Sequence, residues 1–545
     1  MKHFINEKDD LVREALTGLL LLSPALARLD GFPATKVVLR TDWDRSKVAL
    51  VSGGGAGHEP AHAGFVGLGM LTAAVSGEVF ASPSVDAVLA AILAVTGEPG
   101  CLVIVKSYTG DRLNFGLACE SARALGKKVE MVIVSDDVAL PDAVHPRGVA
   151  GTLFVHKVAG HLAERGADLA TVTAAASRVA GSVASIGIAL SSCTIPGRPA
   201  EERMTPHEAE LGLGIHGEPG VSKIPLAPAR ELVDAMLARL APSFADHADR
   251  FAMLVNGLGG VPNIEMSVVV KCALESELGA RTDVVVGPAS LMTSLDMKGF
   301  SLSLLPLDPD TREALLSEVG PVAWPRASLV NRTSVLLPLP QALARLTFPA
   351  SAHPRTQKAL ETICRTLVDA APTLDALDAR IGDGDTGTTL ATAARTLLAQ
   401  LPSLPLAEPA SLLHAISSQL SLVMGGSSGV LLSIFTGAAG SASSAGATLP
   451  RALLAGAARV QEVGGASLGD RTMLDALLPA LSALDLGKDL SEVAQCARRG
   501  AADTGAMTTA KAGRASYLGA DSLRDVMDPG AAAVALVFEA LARLG

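Results

Sequence analysis

Short apolar runs that end in polar or glycine-rich loops alternate with amphipathic segments over the first three-fifths of the chain. Lys47–Val51 is such a run and leads into SGGGAGHEP. Leu102–Lys106 leads into SYTGD and then into RLNFGLACESARALG, which reads as a helix. Val129–Val134 ends at SDD, Phe251–Val255 leads into NGLGGVPN, and Asp283–Val286 and Leu302–Leu307 repeat the theme. Strand, polar loop, helix, strand predicts an α/β domain with a mostly parallel sheet, and in such sheets ligands sit at the loops beyond the carboxyl ends of the strands.

The pattern changes after about residue 335. Pro338, Pro340, Pro349 and Pro354 punctuate a stretch that reads as a linker, 336–354. Beyond it strand signals nearly vanish. Ala/Leu segments at Thr356–Ala370, Leu390–Leu401, Ala410–Val423, Arg451–Val463, Met473–Ala483, Leu490–Ala502 and Gly530–Leu544 predict an all-helical domain over 355–545, after an α/β domain over 1–335.

Composition narrows the function classes. The 545 residues are 49% hydrophobic but only 3% aromatic, so the cores are built from Ala, Leu, Val and Ile. A formal net charge of −10 argues against a general nucleic-acid binder, which needs cations to displace counterions. It leaves phosphate ligands open, because metals and backbone amides can hold those. Six scattered cysteines without a C-x-x-C pair read as free thiols in a reduced compartment. The acidic, broken N-terminal stretch does not fit a secretory signal. Pro409–Pro450 contains no Asp, Glu, Lys or Arg, but GGSSG and SASSAG interrupt it, so no membrane span is expected and the protein reads as cytoplasmic.

Two kinds of loop carry candidate chemistry. In the helical domain, LDARIGDGDTGTTL places Asp378, Asp383 and Asp385 among glycines. On one continuous helix Asp383 and Asp385 would point about 200° apart. A glycine-rich loop can instead fold three hard oxygen anions onto one point, which suits Mg²⁺ or Ca²⁺. MGGSSGVLL at 424–432 offers backbone N–H groups and hydroxyls at the start of a helix, a phosphate cradle. GDRTMLDAL adds Arg471, GRASYLG adds Arg514, and DPGA follows at 528–531. No G-x-x-x-x-G-K-[ST] occurs, so any nucleotide is held without a Walker loop.

In the α/β domain, SGGGAGHEPAHAG sets four glycines before His58, and KSYTGDRLNF places Asp111 at a helix start, where N-capping is the plain structural reading. LGLGIHGEPG fits G-x-G-x-x-G, but no clear strand signal precedes it, Pro219 follows, and no ribose-binding acid stands about twenty residues on. A dinucleotide fingerprint is therefore rejected, and the loop is read as presenting His216. Two histidines and an aspartate on glycine loops make a small-molecule site: an unprotonated imidazole can attack a carbonyl carbon, and a carboxylate can take a hydroxyl proton.

In order along the chain, SGGGAGHEPAHAGFVGLGML, VKSYTGDRLNFGLA, ELGLGIHGEPG, LVNGLGG, TSLDMKGFS, LDARIGDGDTGTT, MGGSSG, GDRTMLDAL, GRASYLGA and DPGA closely resemble the single-chain, ATP-dependent dihydroxyacetone kinases. Two departures are small: Ala56 stands where Ser is common, and Ser107 where Asn is common.

The resemblance implies a substrate domain of two α/β subdomains followed by an all-α helical-barrel nucleotide domain. It implies that His216 attacks the ketone to give a hemiaminal, that Asp111 is the general base on the terminal hydroxyl, and that His58 orients that oxygen, with Gly54, Gly55 and Lys106 lining the pocket. It implies that Asp378, Asp383 and Asp385 hold two Mg²⁺ ions bridging the ATP phosphates. Gly425, Gly426, Ser427 and Ser428 would wrap the phosphates, Thr386 and Thr389 would lie nearby, Arg471 and Arg514 would stabilise the transferred phosphoryl group, and Asp528 and Gly530 would complete the ATP site. It further implies a homodimer acting on dihydroxyacetone or glyceraldehyde. The alternatives are a kinase for a four-carbon ketose such as erythrulose, a lyase converting FAD to cyclic FMN, and a non-catalytic ligand sensor.

Overall fold

The computed structural model describes residues 3–544 except 30, 32–34, 141, 200–202, 246–249, 334 and 341–346, and the side chain of Ser427 also lies outside it. Residues 341–346 of the expected linker therefore fall outside the described residues. The chain divides into two compact units, Met1–Val335 and Leu336–Gly545.

The first unit holds two sheets. One contains β1 (Leu26–Arg28), β2 (Val37–Arg40), β3 (Ala49–Ala56), β4 (Ala73–Val79), β5 (Cys101–Lys106) and β6 (Val129–Val134), in the order β1-β2-β4-β3-β5-β6. The other contains β7 (Ala184–Ala189), β8 (Glu208–Leu211), β9 (Ser222–Pro225), β10 (Phe251–Gly257), β11 (Thr282–Ala289), β12 (Gly299–Pro306) and β13 (Ser328–Leu329), in the order β13-β11-β10-β12-β7-β8-β9. Every residue of β3, β5 and β10 is buried, as strands covered on both faces require.

Alternation sorts these side chains into layers. Leu50, Leu102 and Ile104 of the first sheet, and Ala252 and Leu254 of the second, join one core with Leu153, Phe154, Val158, Val172 and Val179. The helices Thr152–Glu164 and Leu169–Ser182 are thus packed between the two sheets. Val51, Val103 and Val105 point the other way, onto helices Val85–Val95 and Thr109–Ala124. Phe251, Met253 and Val255 face helices Ala229–Leu240 and Asn263–Leu274. Trp324 meets Phe65 edge to face, and the Trp43 indole donates to the Val95 carbonyl at 2.8 Å.

Three sequence expectations are corrected. Only β4, β3, β5 and β6 run parallel in the first sheet, and in the second only β10 and β11 do. Connections set direction, and the stretch between β8 and β9 is too short for a crossover. The glycines Gly53, Gly54 and Gly55 belong to strand β3 rather than to a loop, with an irregularity between Gly54 and Ala56. A strand, β8, does precede LGLGIHGEPG. Its acidic residues hid it: Glu210 is buried because Arg203 pairs with it at 2.9 Å. No helix follows, so the stretch remains a hairpin connection and not a nucleotide loop.

The second unit is helical. Helices Pro354–Asp369, Thr386–Gln400, Pro409–Val423, Gly426–Ser444, Leu449–Gly464, Leu474–Asp485, Leu490–Ala506 and Pro529–Ala542 each pack on the next, and the last packs on the first. These eight form a closed ring, with the short helix Ala371–Asp378 between the first two. No helix among the described residues is long and apolar enough to cross a membrane. All six cysteines are free thiols, five of them buried.

Candidate active site

In the first unit the site grows from the carboxyl ends of β3 and β5. Lys106 ends β5, and Asp111 lies in the first turn of the helix that follows. Tyr108 is the N-cap residue and makes no side-chain cap, so Asp111 is not the capping group. The Asp111 carboxylate is buried and accepts a 2.5 Å hydrogen bond from the Ser82 hydroxyl. Lys106 is wholly buried, and its Nζ has no hydrogen-bond partner among the described residues. Burial lowers its pKa, against the attraction of Asp111 and Glu59. A side chain on Gly54 would start 3.3 Å from both Asp111 Oδ2 and Lys106 Nζ, so glycine there leaves open space between acid and amine. At Gly55 a Cβ would press on the backbone of Phe80 and Ala81, at 2.9 and 2.7 Å.

His58 follows β3 and is fully buried. Its Nδ1 lies 2.8 Å from the Thr293 carbonyl, in the segment after β11 of the other sheet. A carbonyl oxygen only accepts, so Nδ1 carries the proton. Burial, aided by the nearby charge of Lys106 and His216, pushes the pKa of His58 well below its usual 6.5, so the ring is neutral. Nε2 therefore bears a lone pair, and it has no hydrogen-bond partner among the described residues. Phe80 stacks on this ring at 5.3 Å, and Gly57 makes room, since a Cβ there would come 2.6 Å from the Phe80 ring.

His216 arrives on the β8–β9 connection. Its ring centroid stands 4.8 Å from that of His58, and Tyr108 meets it edge-on at 4.2 Å. Its Nδ1 lies 3.2 Å from Glu218 Oε1, and its backbone N–H donates to Glu218 Oε2 at 2.8 Å. Burial raises the Glu218 pKa, but the hydrogen bonds and charge of His216 outweigh it and hold the carboxyl at about 2. Gly212 and Gly217 take positive φ, 72° and 80°, at the two bends of the loop. His58, Asp111, His216, Lys106, Gly54 and Gly55 thus come from two sheets to one place.

Sequence reasoning missed Glu218, Phe80, Tyr108, Ser82 and Thr293. Glu218 had a signal, a carboxylate two residues after a histidine on a glycine loop. Phe80 and Thr293 had none, because only the fold brings them close.

In the second unit, Asp378 ends its helix and is buried, while Asp383 and Asp385 are exposed; their oxygens lie within 4.8 Å of one another. Asp378 Oδ2 accepts from the N–H groups of Asp385 and Thr386, at 3.0 and 3.3 Å, which folds the loop back. A Cβ on Gly382 would overlap the Asp378 carboxylate. Arg514 pairs with Asp383, which lowers the Asp383 pKa, while partial burial and the charges of Asp383 and Asp378 raise that of Asp385. Three carboxylates whose oxygens converge within 4.8 Å fit a hard divalent cation.

Thr386 opens the next helix, and the Thr389 N–H bonds back to the Asp385 carbonyl at 2.9 Å. Gly425 and Gly426 begin the helix that continues through Ser427 and Ser428, and nothing lies within 4 Å of the side-chain directions of either glycine. Arg471 is not open to solvent: it is 1% exposed, and Nη2 donates to the Val526 carbonyl at 2.6 Å. Asp528 caps the final helix by accepting from Ala531 N at 2.8 Å, beside Gly530. Arg514 stands at the acid cluster through its pairing with Asp383.

Comparison with known proteins shows the family. Residues 17–322 match the Dak1 domain and residues 380–543 the DAK2 domain. Over 545 residues the chain is 50% identical to a dihydroxyacetone kinase of Citrobacter freundii, spanning 99% of this chain and 98% of that one. The chain belongs to the dihydroxyacetone kinase family. It is also 41% identical, over 99% of its length and 98% of the relative's, to a triokinase/FMN cyclase of Homo sapiens. The crystal structure of the C. freundii kinase in complex with AMP-PNP and Mg²⁺ aligns over 100% of both chains with a TM-score of 0.70 at 47% identity. In this dihydroxyacetone kinase, the paired histidines fall in the Dak1 match; Asp383 and Asp385 fall in the DAK2 match, with Asp378 just before it.

Proposed function

We propose that this chain is an ATP-dependent kinase that phosphorylates dihydroxyacetone, with glyceraldehyde as a second substrate. The observation that carries the reading is the pair of rings, His58 and His216, with centroids 4.8 Å apart, in the unit where Gly54 leaves space at the Asp111 carboxylate. His216 Nε2 adds its lone pair to the keto carbon, the carbonyl π pair passes to oxygen, and that oxygen takes up a proton. The adduct fixes the substrate and excludes glycerol, which has no carbonyl. That discrimination exceeds the ~1–3 kcal/mol that a pocket methylene offers. With its lone pair at Nε2, His58 orients the adduct by accepting from the hydroxyl formed at the former keto oxygen, which leaves the single proton of the terminal hydroxyl to Asp111. Asp111 takes the hydroxyl proton as the oxygen attacks the γ-phosphorus of ATP and the bond to the β,γ-bridging oxygen breaks, releasing ADP.

Asp378, Asp383 and Asp385 would hold Mg²⁺, which offsets the negative charge of the phosphates. The helix start, exposed at Gly425, Gly426 and Ser428, would receive the phosphate oxygens, and Arg514 would face the transferred group. Arg471 and Asp528 support this site by holding the chain around Val526 and the final helix. The family pattern of two ions is tested by the stoichiometry of binding. A homodimer is tested by sedimentation, and a cytoplasmic location is in keeping with the free thiols.

The test is a coupled assay with ATP and Mg²⁺ against dihydroxyacetone, glyceraldehyde, erythrulose and glycerol, with FAD and Mn²⁺ alongside. Turnover of the ketone with none of glycerol is expected. Equal rates on both would overturn the hemiaminal account, and a higher kcat/KM for erythrulose would move the reading to a four-carbon ketose. Release of cyclic FMN would add the activity that the human relative's name carries.

A further inference from the structure

The hairpin that carries His216 is built around one carboxylate. Glu218 receives two N–H groups of the same residue: Oε2 from the His216 backbone at 2.8 Å and Oε1 from the ring Nδ1 at 3.2 Å. Gly214 is cut back to admit it, since a Cβ there would overlap the carboxylate and approach Arg147 Nη1 at 2.9 Å. The loop backbone is braced from both sides. Arg203 donates to the carbonyls of Gly217 and Glu218 at 2.6 and 3.3 Å while paired with Glu210. Arg147 donates to the Gly212 carbonyl at 2.8 Å while paired with Asp137.

We infer that Glu218 is the positioning residue for His216: by accepting from Nδ1–H it fixes the tautomer whose Nε2 lone pair faces the substrate, and it stabilises the ring once that nitrogen is bonded to carbon. The inference deepens the hemiaminal reading and rests on it. In the step, Nε2 donates its lone pair to the keto carbon, and the carbonyl π pair becomes an alkoxide that takes a proton from water. The ring, bonded at Nε2 and still protonated at Nδ1, is then a cation facing the Glu218 carboxylate, until Nδ1 returns a proton to water. Before attack, an imidazole with its proton on Nε2 has no lone pair to offer there.

The geometry demands a carboxylate rather than an amide. Two donors on His216 need two acceptor oxygens, and glutamine has one. In Glu218→Gln, an amide oxygen turned to the backbone N–H points the NH₂ at Nδ1. The proton then moves to Nε2, and the nucleophile is lost with little change in side-chain shape.

The test uses the full-length enzyme. Nitrogen-15 spectra of histidine-labelled protein without substrate, with His216 assigned by loss of its signals in His216→Asn, read the tautomer directly. Intact-mass measurement and carbon-13 spectra with dihydroxyacetone labelled at the keto carbon read the adduct. In the wild type, Nδ1–H and the adduct are expected. In Glu218→Gln, the His216 proton is expected on Nε2, with the adduct fraction down and the ketone KM up about 100-fold. The KM for ATP should stay within about threefold of wild type.

Glu218→Asp keeps two acceptor oxygens, so it is expected to keep the tautomer and recover part of the adduct. It also decides the matter if the glutamine variant fails to fold. A wild-type tautomer and adduct in Glu218→Gln overturn the inference, as does an Asp variant that keeps the tautomer but loses the adduct as fully as Gln. Absence of an adduct in the wild type overturns the hemiaminal reading instead, and the substrate-free tautomer spectra still decide the role of Glu218.

Discussion

His58 donates through Nδ1 to the carbonyl oxygen of Thr293, 235 positions further along the chain, at 2.8 Å. The bond runs from the end of one sheet to the segment leaving the other. The orientation of one imidazole therefore depends on both halves of the first unit, and the same packing brings His216 beside it.

Asp111 is the carboxylate to which the mechanism gives the hydroxyl proton. Asp111→Asn should lower kcat by about 10²–10⁴-fold, the range for loss of a general base. The adduct with dihydroxyacetone should form as in the wild type. Single-turnover kinetics and intact-mass measurement check the two halves of this expectation separately.

Gly54 takes φ 152° and lies 3.3 Å, at its absent Cβ, from both Asp111 Oδ2 and Lys106 Nζ. Gly54→Ala should raise the ketone KM and cost about 1–3 kcal/mol of stability through the strained backbone. Urea denaturation gives the stability, and initial rates give the KM.

His58, His62 and His156 are buried, and each has its pKa lowered from 6.5 by burial, that of His156 to about 3. The unfolded chain then binds more protons than the native one below pH 6.5. Stability of the first unit should accordingly fall as the pH drops through this range, by about 1.4 kcal/mol per pH unit for each such histidine. Asp136, raised to about 6 by burial, opposes one of them between its usual value of 3.8 and 6. Denaturant midpoints measured at about pH 7, 6 and 5 should show the decline, and His156→Gln should reduce its slope.

Asp383→Ala should abolish Mg²⁺-dependent nucleotide binding, measured by titration calorimetry, and leave the ketone adduct intact. The converse variant, His216→Ala, should bind Mg²⁺-ATP normally and form no adduct. Loss of both functions in either variant would contradict the assignment of one site to each unit.

The legible parts of the sequence were those whose signal is local. The fully buried runs of β3, β5 and β10 and the long Ala/Leu helices stand out by spacing alone, and the loop carboxylates Asp378, Asp383 and Asp385 by their glycines. Strand β8 was hidden because Glu208 and Glu210 read as surface residues until Arg203 is seen to pair with Glu210. Strand direction in the second sheet was hidden because apolar runs look alike in either sense. The burial of Arg471 was hidden because its acceptor, the Val526 carbonyl, lies 55 residues away and carries no side-chain signature.

Both tryptophans, Trp43 and Trp324, lie in the first unit, one bonded to Val95 and the other packed on Phe65. Intrinsic indole emission is consequently a private reporter of the first unit. A titration or melt followed at those wavelengths is blind to the helical ring, and set against a backbone dichroism trace it gives the two halves separate transition curves without any label.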